Sequence, residues 1–175
     1  MHDSLIASKL EALAALVAET AEGEGARAGA SAAALLTLRH HGPLATTALA
    51  RVLGVTQPAA TRLLDRLAAD GLVARDRPSG RREGAVALTP EGRAEAEGLQ
   101  AARLAALAAL LAPLPEPTRR GFVEGLDALL SAAVRDRTQA RRLCRFCDHG
   151  VCDGPVCPIG RAASRIEAET QEPPR

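Results

Sequence analysis

Residues 46–91 constrain the fold more than any other part of the chain, and they are TTALARVLGVTQPAATRLLDRLAADGLVARDRPSGRREGAVALTPE. A short helix with helical apolar spacing is expected over Thr46–Leu53, and Gly54 supplies a turn. Thr56 can cap a second helix, with Pro58 in its first turn, where a missing N–H costs nothing. Gly71 is expected to end that helix. The segment therefore predicts two helices joined by a tight turn.

A small hairpin is expected directly after these two helices. Short β-type runs at Leu72–Arg75 and Ala85–Leu88 surround an arginine-bearing loop. Thr89-Pro90-Glu91 then combines a cap, an N-terminal proline and an acid near the positive helix end, which together start a new helix. The order helix, turn, helix, hairpin predicts a mostly α protein with a small β-hairpin wing, that is, a winged helix-turn-helix.

The second helix of this motif is predicted to bind double-stranded DNA. Its apolar stripe (Ala60, Leu63, Leu64, Leu67) would face the core, which leaves a polar face for base edges. Residues 51–82 hold seven Arg and three Asp, a local excess of +4, although the whole chain carries only +1. With two Phe and no Tyr or Trp, the chain lacks the stacking platforms of single-strand binders. The predicted DNA contacts are Gln57, Thr61, Arg62 and Arg66 on the helix, and Arg77, Arg81 and Arg82 in the loop.

The helices outside this motif have Ala- and Leu-rich faces with no evident core of their own to cover. They are expected over Asp3–Glu19, Glu91–Ala112 and Thr118–Arg137, and a further helix, Ala32–His41, would be capped by Ser31. Such faces favour a two-fold dimer, which would place two recognition helices about 34 Å apart on one face of the duplex.

The chain is accordingly divided into five segments. They are a dimerisation helix and linker (1–30), a winged helix-turn-helix (31–92), dimerisation helices (93–140), a cysteine module (141–163) and a disordered tail (164–175).

All four cysteines of the chain fall within 14 residues, spaced C-x₂-C-x₄-C-x₄-C. Four thiolates at this spacing can converge on one tetrahedral ion, so a structural zinc site is the first hypothesis. An iron–sulfur cluster or a thiol switch is the second, since Arg141, Arg142 and Arg145 would lower the thiol pKa values. Four reduced thiols without a metal are the third, and His149 is expected to be a solvated surface residue. The candidate ligands are Cys144, Cys147, Cys152 and Cys157.

Residues 31–112 resemble the MarR family of winged-helix transcriptional regulators, most strongly over 46–92. The stretch TTALARVLGVTQPAATRLL is similar to the family's helix-turn-helix, and DGLVARDRP with GRREGAVALTPEG is similar to its wing. The resemblance implies a homodimer on a palindromic operator that a small ligand or cysteine oxidation releases. It also implies that Gln57, Thr61 and Arg62 face the major groove and that Arg81 or Arg82 enters the minor groove. Gly80 stands where family wings usually carry an acid; the cysteine module has no counterpart in ordinary members.

The remaining features exclude some classes of protein. No apolar run approaches the roughly 20 residues that span a bilayer, and no signal peptide is evident, so a cytoplasmic protein with no membrane partner is expected. Phosphate loops, nucleophile elbows and paired catalytic carboxylates are not found, so an enzyme is not expected. The alternative function is a zinc-knuckle-like RNA-binding or protein-interaction module.

Overall fold

The computed structural model describes residues 3–22, 29–76, 84–152 and 154–171. The first half of the chain contains α1 (Asp3–Glu22), α2 (Gly29–His41), β1 (Leu44–Ala45), α3 (Thr46–Leu53), α4 (Gln57–Ala69), β2 (Val73–Asp76) and β3 (Ala85–Leu88). The second half contains α5 (Pro90–Leu111), α6 (Glu116–Ala133), α7 (Arg137–Leu143) and α8 (Pro158–Gln171), with 3-10 turns at Cys144–Phe146 and Gly154–Val156. The predicted fold class, a mostly α winged helix-turn-helix, is confirmed.

The main core forms where α2, α3, α4 and the sheet meet. Leu35, Leu36, Leu49 and Leu64 are fully buried there, and the predicted stripe of α4 (Ala60, Leu63, Leu64, Leu67) is buried as expected. Complete burial of one leucine side chain stabilises a fold by about 1.5–3 kcal/mol. This cluster therefore fixes the rotation of α4 about its own axis.

Within the described residues, the strands form one antiparallel sheet in the order β1-β3-β2. The hairpin pairs Val73 with Leu88 and Asp76 with Ala85, close to the predicted strands. The sequence did not predict β1, whose Leu44 pairs with Val86. A two-residue strand is too short for any alternation of apolar and polar residues to reveal it.

Long helices flank the winged motif. α1 packs on α5, and Arg103 Nη1 on α5 donates a 2.8 Å hydrogen bond to the carbonyl oxygen of Ala21 near the end of α1. α6 packs mainly on α8. Large apolar side chains nevertheless remain exposed on these helices in the single chain, at Leu5, Ile6, Leu10, Leu16, Val17, Leu104, Val123, Leu126 and Leu129.

The C-terminal region differs from the sequence prediction. The sequence predicted one helix that runs to Arg137, but α6 ends at Ala133. A separate helix, α7, follows, and Asp136 caps it by accepting a hydrogen bond from the backbone N–H of Gln139. The prediction of a disordered tail is wrong for residues 164–171, which belong to α8. One face of α8 is buried against α6 and α7 through Ile159, Ala162 and Ala163. Residues 172–175 lie outside the described range.

The helix starts were predicted with mixed success. Thr56 and Thr89 both cap as expected, and each accepts a hydrogen bond from the backbone three residues later. Ser31 does not cap α2, because that helix already begins at Gly29. Alanines on either side of Ser31 extend the helix, since they favour helical backbone more than a serine cap opposes it.

The start of α5 lies against the backbone of the segment between α4 and β2. A Cβ added at Gly92 would lie 1.8 Å from the carbonyl oxygen of Leu72, and the Thr89 hydroxyl donates to the Gly71 carbonyl at 2.7 Å. The helix and the hairpin can approach this closely only because residue 92 has no side chain.

Gly92→Ala should lower the free energy of unfolding by about 1–3 kcal/mol, because the added methyl must displace backbone. Gly98→Ala is the matched control in the same helix, where an added Cβ meets nothing within 4 Å. It should stabilise by about 0.5–1 kcal/mol. Urea unfolding at one protein concentration measures both, and equal effects would contradict the close contact.

Candidate nucleic-acid interface and thiol cluster

The reading head is defined as α3, its turn and α4 (residues 46–69). Within it, the apolar side of α4 faces the core and the polar side faces solvent. Gln57, Arg62 and Arg66 are exposed, and Thr61 is half-buried. Thr61, Arg62 and Arg66 therefore lie on the side of α4 away from its buried stripe, and Gln57 is exposed at the first residue of the helix. Arg77, Arg81 and Arg82, the predicted wing contacts, lie outside the described residues, as does Gly80.

An exposed ion pair joins the hairpin to α4. Arg75 Nη2 on β2 contacts Asp65 Oδ1 on α4 at 2.5 Å. Exposed pairs of this kind contribute little to stability, typically under about 1 kcal/mol. Asp65 is the one acid within α4, and Arg75 partly neutralises the charge of its carboxylate. Arg62 and Arg66 lie on the same helix.

The turn of the reading head is covered by a side chain from the cysteine module (residues 141–163). Gly54 has φ +69° and caps α3 in the left-handed region. A Cβ added there would lie 3.0 Å from Nη2 of Arg142 and 3.3 Å from its Cζ. The Arg142 guanidinium thus lies directly over the turn that sets the angle between α3 and α4.

The thiols of the cysteine module lie next to one another. All four cysteines are described and carry free thiols, with Cys157 only 6% exposed. Hydrogen bonds join Cys144 to Cys147, Cys147 to Cys152, and Cys152 to Cys157. The structure therefore brings together all four predicted ligands as a continuous chain of sulfur atoms.

These contacts separate the pKa values of the thiols. The hydrogen bond from Cys144 lowers the pKa of Cys147 to about 7, whereas the pKa of Cys144 is raised by its hydrogen bond to Cys147 and by burial. Burial raises the pKa of Cys152 to about 11. The sequence predicted that the arginines of the module lower the thiol pKa values. At Cys147 the main cause of the lowered pKa is instead the neighbouring thiol of Cys144.

A cavity of about 290 Å³ opens beside the thiols. Its lining includes Cys144, Cys152, Cys157, His41, Arg137 and Arg141. In the described part of the chain, no three His, Cys, Asp or Glu side chains are arranged to coordinate a metal ion as they stand. The zinc site therefore stays a prediction.

A chain of polar contacts seats the module on α2 and α5. The carbonyl oxygen of Phe146 accepts from Nε2 of buried Gln100, whose Oε1 accepts from Nε2 of His40, both at 3.0 Å. The His149 ring stacks on His40 at 4.4 Å between centroids and meets His41 edge-on at 5.1 Å. His149 is therefore an interface residue, and its predicted role as a solvated surface histidine is wrong.

The rings of this contact are suited to close packing. Burial lowers the pKa of His40 and of His41 below the usual value for histidine, so both are neutral near pH 7. Phe146 reaches the main core, and the guanidinium of Arg103 lies 4.2 Å from its ring centroid. The sequence did not predict these contacts, because Gln100, His40 and Phe146 are far apart in the chain and match no spacing rule.

Comparison with known proteins identifies the chain. The sequence model of the MarR family matches residues 30–83. The structure of the MarR family protein Rv2887 from Mycobacterium tuberculosis is 30% identical, with a TM-score of 0.60 over 73% of this chain and 95% of that one. The chain belongs to the MarR family.

Two further solved structures are similar to the chain at nearly the same identity. Rv1404 from Mycobacterium tuberculosis is 29% identical with a TM-score of 0.61, over 76% of this chain and 92% of that one. YusO from Bacillus subtilis is 29% identical with a TM-score of 0.59, over 77% of this chain and 99% of that one. No curated protein gives a significant match. As a MarR-family protein, the chain is a transcriptional regulator.

Among the helices that the structure describes, none is both long and apolar enough to span a membrane.

The Arg142 contact at the turn can be tested by a double-mutant cycle. Gly54→Ala should destabilise by about 1–2 kcal/mol from left-handed backbone strain, and further because the methyl displaces Arg142. Gly71→Ala is the control, with φ +74° and nothing within 4 Å of an added Cβ. In urea unfolding, Arg142→Ala should recover part of the loss in Gly54→Ala and none in Gly71→Ala. The same response in both backgrounds would disprove the contact.

Proposed function

We propose that this chain is a sequence-specific regulator that binds double-stranded DNA as a homodimer on a palindromic operator. One observation carries the proposal: Gln57 is exposed at the start of α4 and Arg62 and Arg66 are exposed along it, while four apolar residues anchor the helix to the core. Gln and Arg make bidentate hydrogen bonds to adenine and guanine edges in the major groove. As a DNA-binding protein without a described membrane-spanning helix, it is proposed to act in the cytoplasm.

The wing is proposed to supply phosphate or minor-groove contacts. β2 and β3 carry the chain outward beside α4, and Arg77, Arg81 and Arg82 fall between them in the sequence. Arginine enters narrow minor grooves because their negative potential is strong there. Base reading by α4 and positioning by the wing are thus assigned to different residues.

The dimer is proposed from the exposed apolar faces of α1, α5 and α6. Leu10 is 44% exposed, Leu104 39% and Leu129 50% in the single chain. Exposed apolar patches mark interaction surfaces, and in an isologous interface a second copy covers the same face on each subunit. The two-fold axis would then repeat α4 at the spacing of one helical turn of DNA.

A small-molecule effector is proposed to release the operator. The related Rv2887 has been solved in complex with salicylic acid, and BpsR from Bordetella bronchiseptica is described as regulated in its DNA binding by 6-hydroxynicotinic acid. Both are small aromatic acids. Release by a change at the cysteine cluster is a second route.

Arg62→Ala should cost about 1–3 kcal/mol of operator binding and relax the base preference, because a base contact is lost. Arg82→Ala should weaken binding to all sequences and reduce the slope of log K against log salt by about 1. Fluorescence anisotropy with duplexes selected from a random library measures both. The DNA-binding proposal fails if neither variant changes binding, or if single-stranded RNA outcompetes the duplex.

Leu129→Glu should convert the dimer to a monomer, because a charge would be buried in the apolar interface. Val156→Glu is the control, at a site that is 65% exposed and outside the three long helices. Sedimentation equilibrium reports the mass of each variant. A dimeric Leu129→Glu protein with unchanged affinity would place the interface elsewhere.

A further inference from the structure

The cysteine module and the reading head share a boundary. Three residues of the module contact elements of the winged motif, and each lies beside or between cysteines in the sequence. Arg142 covers the Gly54 turn two residues before Cys144, Phe146 is hydrogen-bonded to Gln100, and His149 stacks on His40. The position of the sulfur atoms and the position of these contacts are therefore set by the same short piece of backbone.

The donor set fits one thiophilic cation. All four thiols are free, and those of Cys144, Cys152 and Cys157 line one cavity; sulfur is the preferred ligand of Zn²⁺ in closed tetrahedral sites. The 3-10 turns at Cys144–Phe146 and Gly154–Val156 bring the chain back toward the same place. Arg137 and Arg141 line that cavity; Arg137 is ion-paired with Glu167, so Arg141 is the side chain that would offset part of the negative charge of a tetrathiolate site.

We propose that Cys144, Cys147, Cys152 and Cys157 bind one Zn²⁺-like ion, and that this ion holds the module against the reading head so that metal occupancy sets operator affinity. The regulatory half of this inference rests on the proposed DNA-binding function. The metal half does not.

Binding exchanges ligands without any redox step. Each thiol that becomes a ligand releases its proton to solvent, four sulfur–metal bonds replace the bonds from the ion to its hydration waters, and no electron is transferred. The hydrogen bonds that now join the sulfurs in a chain are replaced by bonds to a common centre. Residues 144–152, which include three of the ligands, are then fixed as one unit.

The route from the ion to the DNA-binding surface is short. The backbone of Cys144–Cys147 contains Phe146, whose carbonyl oxygen is tied through Gln100 to His40 on α2. Arg142 extends from the end of α7 over the α3–α4 turn. Fixing the module therefore restricts the angle between α3 and α4, which favours the conformation that fits the groove.

The first experiment measures metal and needs no DNA. The full chain, purified under reducing and anaerobic conditions and titrated with ZnSO₄, should hold about one zinc per chain and gain thermal stability. Cys152→Ser, at a half-exposed position, should lose the ion without unfolding, as judged by circular dichroism; Cys157→Ser is the buried second variant. Zinc below about 0.3 per chain, or an intramolecular disulfide in its place, overturns the site.

The second experiment measures coupling. Removing zinc by chelation should weaken binding to a selected duplex about tenfold, within the usual range of coupling between sites. Arg142→Ala should keep the zinc but lose most of this difference, whereas the exposed control Arg135→Ala should keep both. Unchanged affinity on zinc removal, or loss of zinc in Arg142→Ala, overturns the coupling.

The two failures are distinguishable. If neither the zinc-loaded nor the zinc-free chain binds any duplex, the DNA-binding function and the coupling both fail, while the zinc stoichiometry still decides the metal site by itself.

Discussion

The orientation of α4 depends on the burial of its leucine stripe. Leu63, Leu64 and Leu67 pack against the leucines of α2 and α3, and together they contribute several kcal/mol that rotation of the helix would lose. Because an α-helix has 3.6 residues per turn, fixing one face fixes the opposite one. Gln57 and Arg62 are thus exposed as a consequence of core packing, and they contribute nothing to that packing themselves. This separation leaves base recognition free to differ between relatives on one fold.

The cysteine module joins this core from outside. Its contacts with the winged motif are polar or aromatic: a guanidinium over a glycine turn, an amide between a carbonyl and an imidazole, and stacked rings. The hydrogen bonds and the stacked rings each contribute about 0.5–1.5 kcal/mol, so together they are strong enough to define a docked state but weak enough to be shifted. A purely apolar interface would have fixed the module irrespective of the state of its thiols.

Local sequence signals predicted the winged motif, which depends on short-range interactions, and failed at the C-terminus, which depends on contacts between distant segments. Thr56, Gly54 and Thr89 act through hydrogen bonds and backbone angles within a few residues, so the sequence alone reveals them. α8 was missed because its charged residues suggested disorder, although Ile159, Ala162 and Ala163 form an apolar face. Arg142 over Gly54 and His149 on His40 join segments about a hundred residues apart. Such contacts depend on tertiary packing, which no spacing pattern encodes.

Any coupling between the thiols and DNA must act in both directions. If an ion at the cysteines strengthens operator binding by some factor, the operator must strengthen ion binding by the same factor. A regulator already on its operator would then hold the metal more tightly than free protein and would resist brief changes in metal supply. The contacts at Gly54 and Gln100 would set the size of that factor, because they are the groups that link the proposed metal site to the winged motif. A relative that has the winged motif but no cysteine module has no such shared groups, so its release from DNA depends on other sites.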